Sequence, residues 1–299
     1  MPNLMSEQEF TERFTERIQS FNLAPRCKEN LVLELNYGPE EPLLCLSLKE
    51  AFLRYQELPA QLEDHFRPYI QDLRWTVASP RYKSKELYEQ SLPVLRNFYL
   101  EPPTDDELAD SEASPKGPIV YEDLLKAPSE YIAMQFNIFK DEIYTALRKG
   151  DTLPCIPDKT LLAQLSLHNL ALATESAGIT ATPLQFESLK AQSWLIGLGD
   201  EKYKKSISAL SCIPPVMASL EETLKARNGL IAIMPASDQL IVSINNDEQS
   251  VCELGVLAQQ LRDRAPNRLS AFVWTYQEGN LEAVQSLDLQ ESVKTEEDS

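Results

Sequence analysis

The chain has 299 residues, 43% hydrophobic and 25% charged, with a net charge of −18; this is the composition of a globular protein with room for two ordinary domains, not of a disordered chain. No cluster of Lys or Arg is large enough to hold a phosphate backbone, and a negative field repels nucleic acid and anionic membrane, so neither is expected as a partner. No apolar run approaches the roughly 20 residues that span a bilayer, and the opening MPNLMSEQEF lacks the basic and apolar regions of a secretory signal, so a cytoplasmic protein is expected.

In chain order, the first element is SEQEFTERFTERIQSF. Ser6 and Glu9 form a capping box, and Phe10, Phe14, Ile18 and Phe21 recur at helical spacing, which predicts an amphipathic helix with an aromatic core face. In NLVLELNYGPEEPLLCLSLKEAFLRYQ, Leu31, Leu33, Leu35 and Tyr37 alternate with Glu34 and Asn36 before Gly38 and Pro39. That pattern predicts a strand with one buried face, a turn and a second strand. Ser47 with Glu50 then predicts a cap on a helix carrying Leu48, Phe52 and Tyr55.

Residues 101–118, EPPTDDELADSEASPKGP, hold almost nothing apolar, and 101–116 carry a net −5. Ordering such a segment costs entropy that no burial repays, so it reads as a linker or loop. Residues 285–299 carry a net −4 and read as a disordered acidic tail. Half of the negative excess therefore sits outside the predicted folded parts. Residues 159–174 read as helix. From Thr182 the pattern is strand, strand, helix, hairpin, helix, hairpin, with strands at PLQFESL, SWLIGL and LSAFVWTY, and with Pro214 and Pro215 just before a helix that runs through Arg227. Helices mixed with hairpins, without regular βαβ alternation, predict an α+β fold of antiparallel hairpins packed with amphipathic helices. The expected organisation is an N-terminal helix–hairpin–helix domain over 1–100, the acidic linker at 101–118, a C-terminal α+β domain over 119–284 and the tail.

Cys27, Cys45, Cys155, Cys212 and Cys252 show no C-x-x-C and no nearby pair of histidines, so no metal site is expected and no cofactor is implied. Their mostly apolar neighbours predict buried free thiols in a reducing compartment. His168 falls on the stripe Leu161, Leu165 and Leu172, which predicts a histidine facing the core, with catalysis as the alternative. Asn169 reads as an amide that pins two elements, or else as a ligand-binding group. GLGDEKYKK, residues 197–205, places lysines after a Gly-x-Gly but lacks the spacing of a phosphate loop, and reads as a surface turn with a basic rim. In NGLIAIMPASDQLIVSINNDEQ, residues 235–238 interrupt two apolar runs. Asp238 reads as a turn residue accepting hydrogen bonds from turn amides, or alternatively as a functional carboxylate.

The order of elements in TLKARNGLIAIMPASDQLIVSINNDEQSVCELGVLAQQL and LSAFVWTYQEGNLEAV resembles the YtpQ-like family of bacterial proteins of unknown function. The shared features are a helix, an apolar strand ending in Pro-x-x-Asp, a return strand, a helix and a closing hairpin with Gly279, Asn280, Leu281 and Glu282. Asn169 and Leu170 match an Asn-Leu in the family's middle helix. The resemblance is best over residues 160–284, and it implies no activity, because the family has none established. The long acidic linker and the GLGDEKYKK turn depart from the family pattern. The reading that follows is a non-catalytic interaction, adaptor or regulatory protein with a protein partner bound on the C-terminal sheet and its helices. The alternatives are a hydrolase using His168 and Asp238, and a small-ligand sensor.

Overall fold

The structure is a computed structural model that describes residues 4–21, 23–36, 43–78, 84–97, 119–127, 130–140, 143–152, 156, 158–185, 190–277 and 279–284. The linker at 101–118, the tail at 285–299 and Cys155 lie outside the described residues. The fold is α+β, with antiparallel sheets and packed helices.

The chain divides into two compact units. The first takes the described residues up to Glu89 together with Ile119, Val120 and Leu147–Leu161. Helix α1 (Glu7–Ile18) begins as the sequence predicts: the Ser6 hydroxyl accepts from Glu9 N at 3.2 Å, and the Glu9 carboxylate accepts from Ser6 N at 2.8 Å. The Ser6 N–H, together with the Ser6 hydroxyl donating to the same carboxylate at 3.0 Å, holds the Glu9 carboxyl below its ordinary value. Helix α1 buries Phe10, Phe14 and Ile18 against a three-stranded sheet ordered β1 (Arg26–Glu29), β2 (Val32–Leu35), β3 (Leu44–Ser47) and against helices α2 (Lys49–Glu57) and α3 (Leu62–Ala78). Phe10 meets Phe52 and Phe66 edge-on, with ring centroids 5.2 and 4.9 Å apart. Such pairs place a positive ring edge on a negative ring face.

One strand is missed in the sequence and one local expectation is corrected. Strand β1, Arg-Cys-Lys-Glu, is exposed at every position and so carries no alternation from which a strand could be read. Ser47 does not form the expected capping box: it is still paired with Val32 in the sheet, its hydroxyl makes only a long 3.5 Å contact with Lys49 N, the N-cap position is Leu48, and Glu50 pairs with Arg54 at 2.5 Å instead. The β1–β2 turn sets Leu31 at φ +62°, a region unfavourable to a leucine. Leu31 is nevertheless 4% exposed, its carbonyl accepting from Leu48 N at 2.7 Å. Burial of the side chain and that hydrogen bond offset the backbone cost. Helix α4 (Ser84–Gln90) and the one-turn helix α5 (Lys149–Thr152) follow, and Lys149 of α5 reaches Asp72 of α3 at 2.6 Å.

The second unit starts at Gln90, ten residues before the expected domain boundary at 100. The reason is pairing: β4 (Ser91–Asn97) runs antiparallel to β6 (Glu130–Lys140) over its whole length, whereas β5 (Tyr121–Ala127) and β7 (Ile143–Ala146) follow one another along the other edge of β6. Helix α6 (Lys159–Ala177) leads into a six-stranded sheet. Its strands are β8 (Ile179–Leu184), β9 (Ser193–Leu198), β10 (Leu230–Ile233), β11 (Leu240–Ser243), β12 (Val273–Gln277) and β13 (Asn280–Val284), in the order β13-β12-β10-β11-β9-β8, every neighbour antiparallel. Helix α7 (Pro214–Leu224) precedes β10, and α8 (Glu248–Arg264) follows β11.

Strands β10 and β11 are buried on both faces. Ile231, Ile233, Ile241 and Val273 pack under Leu254 and Ala258 of α8. Ala232, Val242 and Trp274 are buried on the opposite side, where Tyr276 donates to the Pro214 carbonyl at 3.0 Å. Helix α7 ends three residues before the predicted Arg227, because Lys225 turns left-handed at φ 57° and Ala226 N closes on Glu221 O at 2.9 Å. Gly199 is required by closeness: a Cβ there would lie 2.5 Å from the Ala177 carbonyl oxygen.

Phe10 has no solvent exposure and anchors the first unit's ring cluster. Phe10→Ala is expected to cost about 3–5 kcal/mol in urea melting, the range for an aromatic deletion in a packed core. A loss below about 1 kcal/mol would mean that the cluster does not hold this unit together.

Candidate functional site

The interruption at residues 235–238 is the bend of the β10–β11 hairpin, and it is tied down on two sides. Gln239 N closes the turn on Ala236 O at 3.1 Å. Ser237 O accepts from Ser208 N at 3.1 Å, and Pro235 O and Met234 O accept from Leu269 N and Ser270 N, each at 2.9 Å. Asp238 does not accept from turn amides as expected. Its Oδ1 takes the side-chain amide of Asn267 at 3.2 Å, and the same amide reaches Ser237 Oγ at 2.5 Å. Asn267 lies on the far side of α8, so its role here had no local signal in the sequence.

The segment that carries Asn267 is also held from the other sheet of this unit. The Asn97 amide donates to Leu269 O at 2.6 Å. Glu130, 3% exposed, accepts from Ala271 N at 3.0 Å and from Arg262 Nη1 at 3.3 Å. Its second oxygen is buried without a hydrogen-bond partner. Burial raises the Glu130 carboxyl above its ordinary value, against the opposing pull of Ser270, the Ala271 amide and Arg262. A buried carboxylate at the start of β6 was missed in the sequence because EYIAMQ shows one acid before an apolar run, the ordinary look of a strand end.

His168 and Asn169 part company. Helix α6 turns its Leu162, Ser166, Leu170 and Ala173 side inward, so Leu161, His168 and Leu172 face outward, with Leu165 half-buried between them. Leu161 is 39% exposed, Leu172 is 48% exposed, and His168 is exposed. The expected core histidine is therefore a surface one. The cause lies in the sequence itself: α6 is apolar nearly all round, and either stripe would serve as a core face. Asn169, on the flank, pins α6 to β4, its amide donating to Ser91 O at 3.0 Å. No hydrogen bond joins His168 to Asp238 among the described residues.

Three cysteines expected in the core, Cys27, Cys45 and Cys252, are exposed, and Cys212 is half-buried; these four are free thiols. Burial pushes the Cys212 thiol up to about 11, which makes it a poor nucleophile at neutral pH. GLGDEKYKK runs from the end of β9 into a 3₁₀ helix, Glu201–Ser206, and is not the plain surface turn expected. Asp200 accepts from Lys202 N at 2.9 Å, and Lys205 lies 5.3 Å from the centroid of the Tyr144 ring. Tyr144 donates to the Lys202 carbonyl, and burial pushes its phenol up to about 12.

In the first unit a groove of about 540 Å³ runs between α1 and the β1–β2 hairpin. Thr11, Glu12 and Glu16 of α1 and Pro25, Cys27 and Leu33 of the hairpin side line it. Among the described residues no group of His, Cys, Asp and Glu could hold a metal ion. No described helix is long and apolar enough to cross a membrane. No family model, curated protein or solved structure matches the chain.

The raised Glu130 carboxyl sets a pH dependence. The folded protein keeps this proton at a pH where the unfolded chain has released it. The resulting stability is present below the unfolded value and is lost as pH rises through the folded one. Relative to Glu130→Gln, the wild type is expected to gain stability in urea melting as pH falls from about 8 to about 5. A difference that stays flat or runs the other way would contradict the assignment.

Proposed function

We propose that this is a cytoplasmic, non-catalytic interaction protein, an adaptor or regulator, that carries a protein partner on the outward face of α6. The observation behind this reading is the stripe of exposed Leu161, His168 and Leu172 with half-buried Leu165, on a helix whose other side is already packed. Apolar rows of this kind mark contact surfaces more often than isolated exposed leucines do. The partner surface thus moves from the C-terminal sheet, whose Trp274 and Tyr276 are buried, to the helix before it. Exposed free thiols at Cys27, Cys45 and Cys252 support a reducing compartment. Membership of the YtpQ-like family is part of the same proposal. It is supported by the order β10, the Pro-x-x-Asp turn, β11, α8 and the closing β12–β13 hairpin, with Gly279 at φ 86° in its turn.

Leu161→Ser combined with Leu172→Ser is expected to leave melting within about 0.5 kcal/mol of wild type, as for surface positions, while the proteins retained from a cell extract fall away. Asp238→Ala is the control: it should lose about 0.5–1.5 kcal/mol, the worth of one hydrogen bond, and keep its partners. Unchanged retention by the double variant would end this reading.

A second reading, a small-ligand sensor, is favoured by the groove against α1, whose size lies within the range of ligand pockets. Its measurement is the rate of Cys27 alkylation, read at the level of the peptide, in the presence of a metabolite extract. Slowing at Cys27 with no slowing at Cys45 supports a ligand in the groove, and equal rates at both count against it.

A further inference from the structure

We propose that Glu130, Arg262 and Asp263 form a proton latch in which two carboxylates share one guanidinium: the latch holds Ser270–Phe272 against the start of β6 while Glu130 is protonated and releases them as pH rises. This goes beyond the partner-binding reading and involves none of the α6 surface. The geometry sets up a competition for a single positive charge. Arg262 points Nη1 inward to Glu130 Oε1 at 3.3 Å, while its Nε and Nη2 point to Asp263 Oδ1 at 3.4 and 3.3 Å. With both acids ionised, the cluster carries one negative charge more than it can match. The two sites differ in what they offer that extra charge. The Asp263 side chain is half exposed, and its other oxygen accepts from the Gln259 amide at 2.8 Å. That hydrogen bond, with Arg262 behind it, holds the Asp263 carboxyl below its ordinary value. Glu130 is buried, its Oε2 has no hydrogen-bond partner, and its Oε1 must serve both Arg262 and the Ala271 amide. A charge at that place is short of both water and donors, so Asp263 takes the negative charge and Glu130 keeps the proton.

The other described groups around Glu130 bring no charge that would change this outcome. Its ladder partner on β5 is Ala127, β4 places Asn97 opposite Ile132, and the irregular segment supplies Ser270 and the Ala271 amide. Arg268 is engaged elsewhere, its Nη2 donating to the Asp263 carbonyl at 3.3 Å. The part that moves is bounded by bonds that do not titrate. Leu269 is fixed on both sides, its carbonyl by the Asn97 amide and its N–H by Pro235 O. Beyond it, Ala271 N donates to Glu130, and Ser270 Oγ takes both Phe272 N and the Trp274 indole. An arrangement in which the Glu130 carboxyl meets water gives up its proton more readily than the closed one, so proton binding and closure reinforce each other. The closed form is favoured below the ordinary carboxylate range and loses that advantage as pH rises through the higher value that burial gives Glu130.

The test is hydrogen exchange of the full chain between about pH 5 and about pH 8, each amide being scored against its own intrinsic rate. Protection at Ala271 and Phe272 is expected to fall by about tenfold or more over that range. It should also stay below the protection of Ala232 in the sheet centre, which marks opening of the segment and not unfolding of the unit. Glu130→Gln keeps an acceptor for Ala271 and is expected to flatten the profile. The two partners should move it in opposite directions. Asp263→Asn leaves the whole guanidinium to Glu130 and shifts the fall to lower pH, whereas Arg262→Gln removes the cation and shifts it to higher pH. The carboxyl carbon resonance of Glu130 in the wild type should titrate together with the fall. Protection that does not change with pH overturns the proposal, as does a Glu130 resonance that titrates in the ordinary carboxylate range. So do a fall that survives Glu130→Gln, equal protection at Ala271 and Ala232, or shifts of the same sign in both partner variants. Asp263 lies at the surface, so its variant and the resonance decide the matter even if the substitutions at Glu130 and Arg262 prevent folding.

Discussion

The second unit depends on an irregular segment whose middle, Leu269 and Ser270, is buried and whose polar backbone must find partners within the fold. Residues 267–272 run between α8 and β12. Their groups are taken up by three separate elements: the β10–β11 turn, Asn97 at the end of β4, and Glu130 at the start of β6. An unpaired amide or carbonyl buried in such a place costs about as much as a lost hydrogen bond, so each of these partners constrains where the others can lie. Ser270 concentrates the effect, since its hydroxyl also receives Phe272 N and the Trp274 indole. Through this segment the four-stranded and six-stranded sheets of the unit share one set of bonds. Glu130 ties that set to Arg262, which extends the network to the last turn of α8.

Much of the fold was legible because local rules and packing agreed. The capping box of α1, its aromatic face and the β10–β11 hairpin each rest on spacing within a few residues, and spacing of that kind survives in a sequence read alone. Failures occurred where two patterns competed or where the deciding contact was distant. Helix α6 offered two apolar stripes, and its burial was decided by Ser166 and Asn169 meeting Ser91, seventy-five and seventy-eight residues earlier in the chain. Strand β1 is held by the ladder to β2 and not by any burial of its own side chains. At Ser47 a helix cap and a strand pair wanted the same residue, and the strand prevailed.

The candidate sites were less legible than the fold. Asp238 and Asn169 stood out as polar residues in apolar surroundings, and both turn out to join elements together, as polar side chains near a core commonly do. Glu130 and Asn267 gave no signal, because a single acid before a strand and a single amide in a loop are common anywhere. The groove beside α1 was invisible for a different reason. Its walls come from the polar side of a helix and from a strand that was itself unread, so no run of residues marked it.

The division of the chain bears on the order in which it can be built. The first unit includes residues 147–161, yet β4, β5, β6 and β7 of the second unit lie between that stretch and the rest of the first. During synthesis from the N-terminus, α1, the β1–β2–β3 sheet, α2 and α3 emerge well before Lys149, which reaches Asp72 and lies over the Trp75 ring. The growing first unit must therefore wait with that end of α3 uncovered while the strands of its neighbour are being made, and a chain released before residue 149 leaves the ribosome with that side of Trp75 bare.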